Sequence, residues 1–229
     1  MLNMLSIRWL GRVSYAEAFE LQERLAAEKM ADPNQPDHLL LLEHDPVFTI
    51  GRTPDQSSLR DLLALPYPVH VINRGGQATY HGPGQLVGYP IVDLRRRGQD
   101  LHRYLRDLED LVIDTCQAFG VAAIRREGLT GVWVGEGKIA SIGVGVRRWV
   151  SMHGFALNVS GPLDGFDHIT PCGIAGVKIT SLERETGQAL TSEEVAREAI
   201  RIAEKSFTPG GNSRSQVGGS ALISAPRRS

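Results

Sequence analysis

Residues 131–159 read GVWVGEGKIASIGVGVRRWVSMHGFALNV. Valine, isoleucine and small residues dominate, and two short polar interruptions, GEG at 135–137 and RRW at 147–149, have the character of hairpin turns. A stretch that reverses twice in so few residues builds antiparallel sheet. Moving outward, helices flank it. DLHRYLRDLEDLVIDTCQAFG, residues 100–120, sets Leu101, Leu105, Leu108, Val112 and Phe119 on one stripe and stops at Gly120. TSEEVAREAIRIAEKSF, residues 191–207, opens with a capping-box pair, Thr191 and Glu194. The same pair, Ser14 and Glu17, opens a helix expected from about Tyr15 to Ala31.

Between these lie further strand signals: residues 1–13, HLLLLEH (38–44), VFTIGR (47–52), VHVIN (69–73) and LVGYPIVDL (86–94), with Asp45-Pro46 as a turn. SSLRDLLAL (57–65) and ITSLERETG (179–187) read as short helices, and FDHITPCGI (166–174) as a loop or single turn. Strands and helices mix without regular βαβ alternation. The expectation is an α+β fold, one mixed, largely antiparallel sheet with packed helices. Residues 1–207 form a single domain on this reading, and the Gly/Ser-rich stretch 208–229 is expected to be a disordered tail.

The chain has 229 residues, 41% of them apolar and 22% charged, with a formal net charge of −1. No overall field points to nucleic acid or membrane. No apolar run reaches the length of a membrane span, and residues 1–13 lack the features of a secretory signal. The two cysteines, Cys116 and Cys172, make no disulfide framework and no zinc spacing, so a reducing, cytoplasmic setting is expected.

The candidate sites follow from residue type and context. NRGGQATYHGPGQLVGYP, residues 73–90, holds five glycines in eighteen positions. It lacks the lysine and hydroxyl of a Walker loop and the helix-opening pattern of a dinucleotide loop. Glycines between strands allow close backbone approach, and exposed amides bind an anion or a carbonyl oxygen. Packing alone would be met by an ornate connection with a core tyrosine. Cys116 sits on the apolar stripe of its helix and reads as a buried structural thiol. Cys172, in Thr170-Pro171-Cys172-Gly173, has no period to bury it and is reactive only beside a base or a cation. Lys138 heads an apolar strand, either as an edge lysine in water or turned inward toward a reaction centre. Of seven histidines, His81 and His153 stand out, His102 and His168 read as surface residues, and no pair has ligand spacing, so no metal site is expected.

Four blocks in order carry a resemblance: Arg74-Gly75-Gly76-Gln77-Ala78-Thr79-Tyr80-His81-Gly82-Pro83-Gly84-Gln85-Leu86, then Gly137 to Val144, His153 to Asn158, and Thr170 to Gly173. Over roughly residues 5 to 207 the chain resembles the lipoyl(octanoyl) transferases. The resemblance implies a lipoate/biotin protein ligase-like fold and transfer of an octanoyl group, without a cofactor. The donor would be octanoyl-acyl carrier protein, and the acceptors the lipoyl domains of 2-oxoacid dehydrogenase E2 subunits and the glycine cleavage H protein. It implies Cys172 as acyl-thioester nucleophile and Lys138 as its partner. It implies an acyl site lined by Arg74, Gly75, Gly76, Gln77, Ala78, Thr79, Tyr80 and His81, by Ser141, Ile142 and Gly143, and by Gly154, Phe155 and Ala156, with His153 as an auxiliary group. Carrier proteins are typically acidic, so Arg95 to Arg97 and Arg147-Arg148 are candidates for the docking rim. Three rivals remain at this level: an ATP-dependent ligase on the same fold, a cysteine hydrolase using Cys172 and a histidine, and a non-catalytic carrier-binding module.

Overall fold

The computed structural model describes residues 5–53, 58, 65–170 and 176–206. Cys172, most of the expected helix at 57–65 and the expected tail at 208–229 lie outside the described residues. The strands are β1 (Leu5–Arg12), β2 (Asp37–Glu43), β3 (Val47–Ile50), β4 (Val69–Val71), β5 (Ala78–His81), β6 (Gln85–Ile91), β7 (Ile124–Arg126), β8 (Leu129–Val134), β9 (Gly137–Arg147), β10 (Val150–Asn158) and β11 (Lys178–Ile179). The helices are α1 (Tyr15–Ala31), α2 (Leu101–Ala118), α3 (Leu182–Thr186) and α4 (Ser192–Ser206).

The main sheet runs β1-β2-β6-β10-β9-β8-β7, with β11 added beside β9. β1 and β11 pair in parallel and the other neighbours are antiparallel, so the fold is α+β with a mixed, largely antiparallel sheet. β2 explains why four leucines stand in a row. Leu39 and Leu41 join the cluster formed with Leu108, Leu111 and Val112 of α2 and Val195 and Ala199 of α4. Leu40 and Leu42 join the opposite cluster, with Ala18, Leu25 and Ala26 of α1. A strand covered on both faces reads as a continuous apolar run. The α1 start is a full capping box: the Ser14 hydroxyl accepts from the Glu17 N–H, and the Glu17 carboxylate accepts from the Ser14 N–H. Such a cap is worth roughly 1 kcal/mol.

One expectation needs correction. The glycine-rich stretch is not a single connection between two strands of one sheet. Its middle, Ala78-Thr79-Tyr80-His81, is β5, which joins β3 and β4 in a separate three-stranded sheet, order β4-β3-β5. The glycines before β5 serve the return: the loop lies directly on β9, with Gly75 N–H donating to Val144 O at 2.9 Å. A Cβ on Gly145 would sit 2.3 Å from Asn73 O, so only glycine lets the loop lie there. That contact fixes the small sheet against the large one.

Candidate active site

A cavity of about 310 Å³ opens between the two sheets. That is at the small end of the range for small-molecule pockets. The glycine loop and β5 contribute Arg74, Gly76, Gln77, Ala78, Thr79 and His81. β9 contributes Lys138, Ser141, Ile142 and Gly143, and β10 contributes His153, Gly154, Phe155 and Ala156. The glycine loop and β9, far apart in sequence, thus share one wall. Gly75 and Tyr80 are set apart from it. Gly75 spends its N–H on Val144 O, and Tyr80 points to the other face of β5, among Phe48, Tyr67 and Phe166. Strand alternation separates Tyr80 from Thr79 and His81.

Lys138 turns inward because of a β-bulge. Val132 pairs with Ala140 and Trp133 with Lys138, so Ile139 is the extra residue on β9. Ile139 and Ala140, although consecutive, both enter the cluster under α2 and α4. The inserted residue flips the phase, and Lys138 faces the cavity with Ser141 and Gly143. Its side chain is 4% exposed.

Arg74 is also buried. Its guanidinium donates to Thr49 O and Thr49 Oγ1, each at 2.9 Å, and to Gly75 O at 2.9 Å, riveting the loop to β3. The Thr49 hydroxyl is left to donate toward His81 Nε2, at 3.4 Å. The Gln85 amide donates to Asn158 Oδ1 at 2.9 Å and to Tyr80 O at 3.2 Å, so its Oε1 must accept from His81 Nδ1, at 2.7 Å. His81 is therefore neutral with its proton on Nδ1. Burial, and secondarily His44 beside it, push its pKa down to about 3. His153, at φ 58, donates its backbone N–H to Gln22 Oε1 at 2.8 Å, and burial lowers its pKa to about 4.

Sequence reasoning missed several contributors. Tyr15, the first residue of α1, lines the cavity, as do Thr53, Ile72, Tyr89, the turn residue Gly128, and Leu129 and Thr130 at the start of β8. The capping box marked where α1 begins but not which way its first residue points. His44 lies behind the wall: Nδ1 donates to Val13 O at 2.8 Å, so Nε2 accepts from the Tyr89 hydroxyl at 2.7 Å. Two cavity-lining hydroxyls, Tyr15 OH and Thr79 Oγ1, are buried with no hydrogen-bond partner among the described residues. Buried polar groups are rarely left unsatisfied, so these two have hydrogen-bonding capacity to spare for a bound molecule. Cys116 has the character expected of it: fully buried, with burial pushing its thiol up to about 12. Among the described residues no three His, Cys, Asp or Glu side chains gather as metal ligands. No described helix is long and apolar enough to cross a membrane.

A partly open, mixed-polarity cavity with one buried lysine, two neutral histidines and two unspent hydroxyls is suited to holding a small ligand. Residues 14–203 match the family model described as the lipoyl protein ligase A/B catalytic domain, and the chain belongs to that family. It is 57% identical over 185 residues to an octanoyltransferase of Geobacter sulfurreducens, covering 81% of this chain and 77% of the relative. It is 56% identical over 186 residues to an octanoyltransferase of Geotalea uraniireducens, covering 81% and 85%. These relatives make it an acyltransferase by class. In fold alone it is similar to a bipartite lipoate protein ligase from Thermoplasma acidophilum, studied with its E2 lipoyl domain. The TM-score is 0.70 at 18% identity, with 89% and 84% of the two chains covered. The lipoate ligase-like architecture implied by the four sequence blocks is the one present.

Proposed function

We propose that this chain takes an octanoyl group from acyl carrier protein and places it on a lysine of lipoyl domains, through a thioester on Cys172. The observation that carries the proposal is Lys138, buried at the cavity, together with the contacts of the residues that bracket Cys172 in sequence. On one side, Thr170 N–H donates to Ser58 O at 2.7 Å, and Ser58 Oγ accepts from the N–H of Ala78, a cavity residue, at 3.0 Å. On the other side, Lys178 and Ile179 pair with Gly137 and Lys138. Thr170 and Ile179, which bracket Cys172 in sequence, thus connect to Ala78 and Lys138, two residues that line the cavity.

The chemistry balances with these residues alone. Lys138 accepts the Cys172 proton, and the thiolate attacks the carrier thioester. The carrier sulfur leaves and takes the proton back from the Lys138 ammonium. The acceptor lysine, as neutral amine, then attacks the acyl-enzyme. Cys172 leaves as thiolate, and Lys138 receives the amine proton. The Thr79 hydroxyl is in reserve for the carbonyl oxygen. Leu94 N–H donates to Trp149 O at 2.8 Å, so the two arginine runs follow and precede residues in direct contact, and a basic rim there would favour an acidic carrier. A reducing compartment keeps Cys172 as a thiol.

Intact mass spectrometry after mixing with octanoyl-acyl carrier protein, without ATP, tests this. One octanoyl adduct is expected, removed by hydroxylamine, absent in Cys172→Ser, and lost when an apo lipoyl domain is added. Adduct loss to water without transfer would make the protein a hydrolase. Transfer only with ATP would make it a ligase. Binding of the carrier with no adduct would make it a docking module.

A further inference from the structure

Glu109 takes no part in the steps above, yet it is a fully buried carboxylate on α2. Its Oε2 accepts from Arg106 at 2.6 Å and from Arg125 Nε at 2.8 Å. Arg125 also bonds Asp110 at 2.6 Å and Arg106 O at 2.9 Å. The two guanidinium groups balance the charge and hold the carboxylate still. The other oxygen, Oε1, accepts the backbone N–H of Gly131 at 3.2 Å.

Gly131 is where β8 meets the stem of Lys138. Its φ is +127, and a Cβ there would lie 2.9 Å from Lys138 Cε and 2.8 Å from Ala140 O. Two residues on, Trp133 is the cross-strand partner of Lys138, fully buried, with its ring centroid 5.8 Å from Nζ. An aromatic face at that range favours the ammonium. The lysine thus rests on a short strip of β8 bounded by a bare backbone and an indole. On its outer side, among the described residues, this strip pairs with β7, three residues long and irregular in register. Pairing alone fixes it poorly.

We propose that Glu109 is a positioning residue for Lys138, acting through the Gly131 N–H to hold the strip of β8 on which the lysine stem rests. This rests on the reading of Lys138 as the proton acceptor for Cys172. The hydrogen bond matters, and the charge serves to keep the carboxylate in place.

The test uses Glu109→Ala, Glu109→Gln and Gly131→Ala in the full chain. Three quantities are measured: steady-state octanoyl transfer, the pH dependence of Cys172 alkylation by iodoacetamide, and urea midpoints. Glu109→Ala is expected to lower kcat on the order of tenfold to a hundredfold, because a small misplacement of a reacting group is costly. It should leave KM for the carrier protein near the wild-type value. The pH midpoint of alkylation should rise by about one unit, because the thiolate loses a neighbouring cation. Glu109→Gln offers one acceptor oxygen to donors on both sides and should fall between the wild type and Glu109→Ala in rate and midpoint. An alkylation midpoint unmoved in Glu109→Ala overturns the proposal. If Glu109→Ala does not fold, Gly131→Ala carries the same expectation, and an unmoved midpoint there overturns it equally. Absence of an adduct in the wild type would instead sink the reading of Lys138 and Cys172, so the two failures are distinguishable.

Discussion

Three histidines are buried neutral within one region. His44 and His153 have pKa values lowered to about 4, and His81 to about 3, in each case chiefly by burial. Unfolded, each would titrate near 6.5. A group whose folded pKa is depressed binds its proton first in the unfolded state. The stability it supports is fully present above about pH 6.5 and drains away as pH falls toward the folded value, at about 1.4 kcal/mol per pH unit for each histidine. Urea unfolding between pH 7 and pH 4.5 should therefore show a steep loss. In His44→Gln, which removes one of the three, the slope should fall by about a third. An unchanged slope would mean that His44 titrates alike in both states. His44 itself was not singled out in the sequence, because nothing in LEHDP separates a wall histidine from a turn residue. Its role comes from Tyr89, forty-five positions away.

At the level of elements, β9 and β10 hold the most function in the least sequence. The bulge at Ile139 aims Lys138. The hairpin tip places Arg148 at φ 49 and Trp149 at φ 64 between the paired residues Arg147 and Val150. Positive φ at both central positions is the turn that favours Asn-Gly, and each ordinary residue held there costs roughly 1 kcal/mol. Replacing Arg148-Trp149 by Asn-Gly should raise the urea midpoint, and a fall would show that Trp149 packing outweighs the turn strain. The hairpin itself was legible, since RRW interrupts an apolar run. So were α1, α2 and α4, whose caps and apolar periods are local signals. The bulge was not. A strand carries its phase in the pairing, and Gly-Lys-Ile-Ala-Ser has the same composition with Lys138 facing either way. β5 was hidden for a similar reason: four residues among glycines look like loop until β3 is found beside them.

At the scale of the whole molecule, the site exists because two sheets close on one another. A loop of glycines lies flat on β9, and the cavity is what remains between. Arg74, Thr79, His81, Lys138 and His153 come together there although no local pattern links them; the ordered motif blocks pointed to them, and topology joins them. Tyr15 reaches the same cavity from α1, which covers the opposite end of the chain order, so no window of sequence could have revealed it. This closure also bounds what the chain needs. The family match ends at residue 203, and α4, the last element, ends at Ser206. Val195, Ala199 and Ala203 of α4 complete the cluster beneath β2 and β9. We propose that turnover does not depend on residues 208–229. A chain ended after Phe207 should keep the kcat of octanoyl transfer and the urea midpoint of the full chain. If kcat fell sharply while the midpoint held, the final segment would belong to the site, and its contact with the carrier protein or the lipoyl domain would be the next thing to measure.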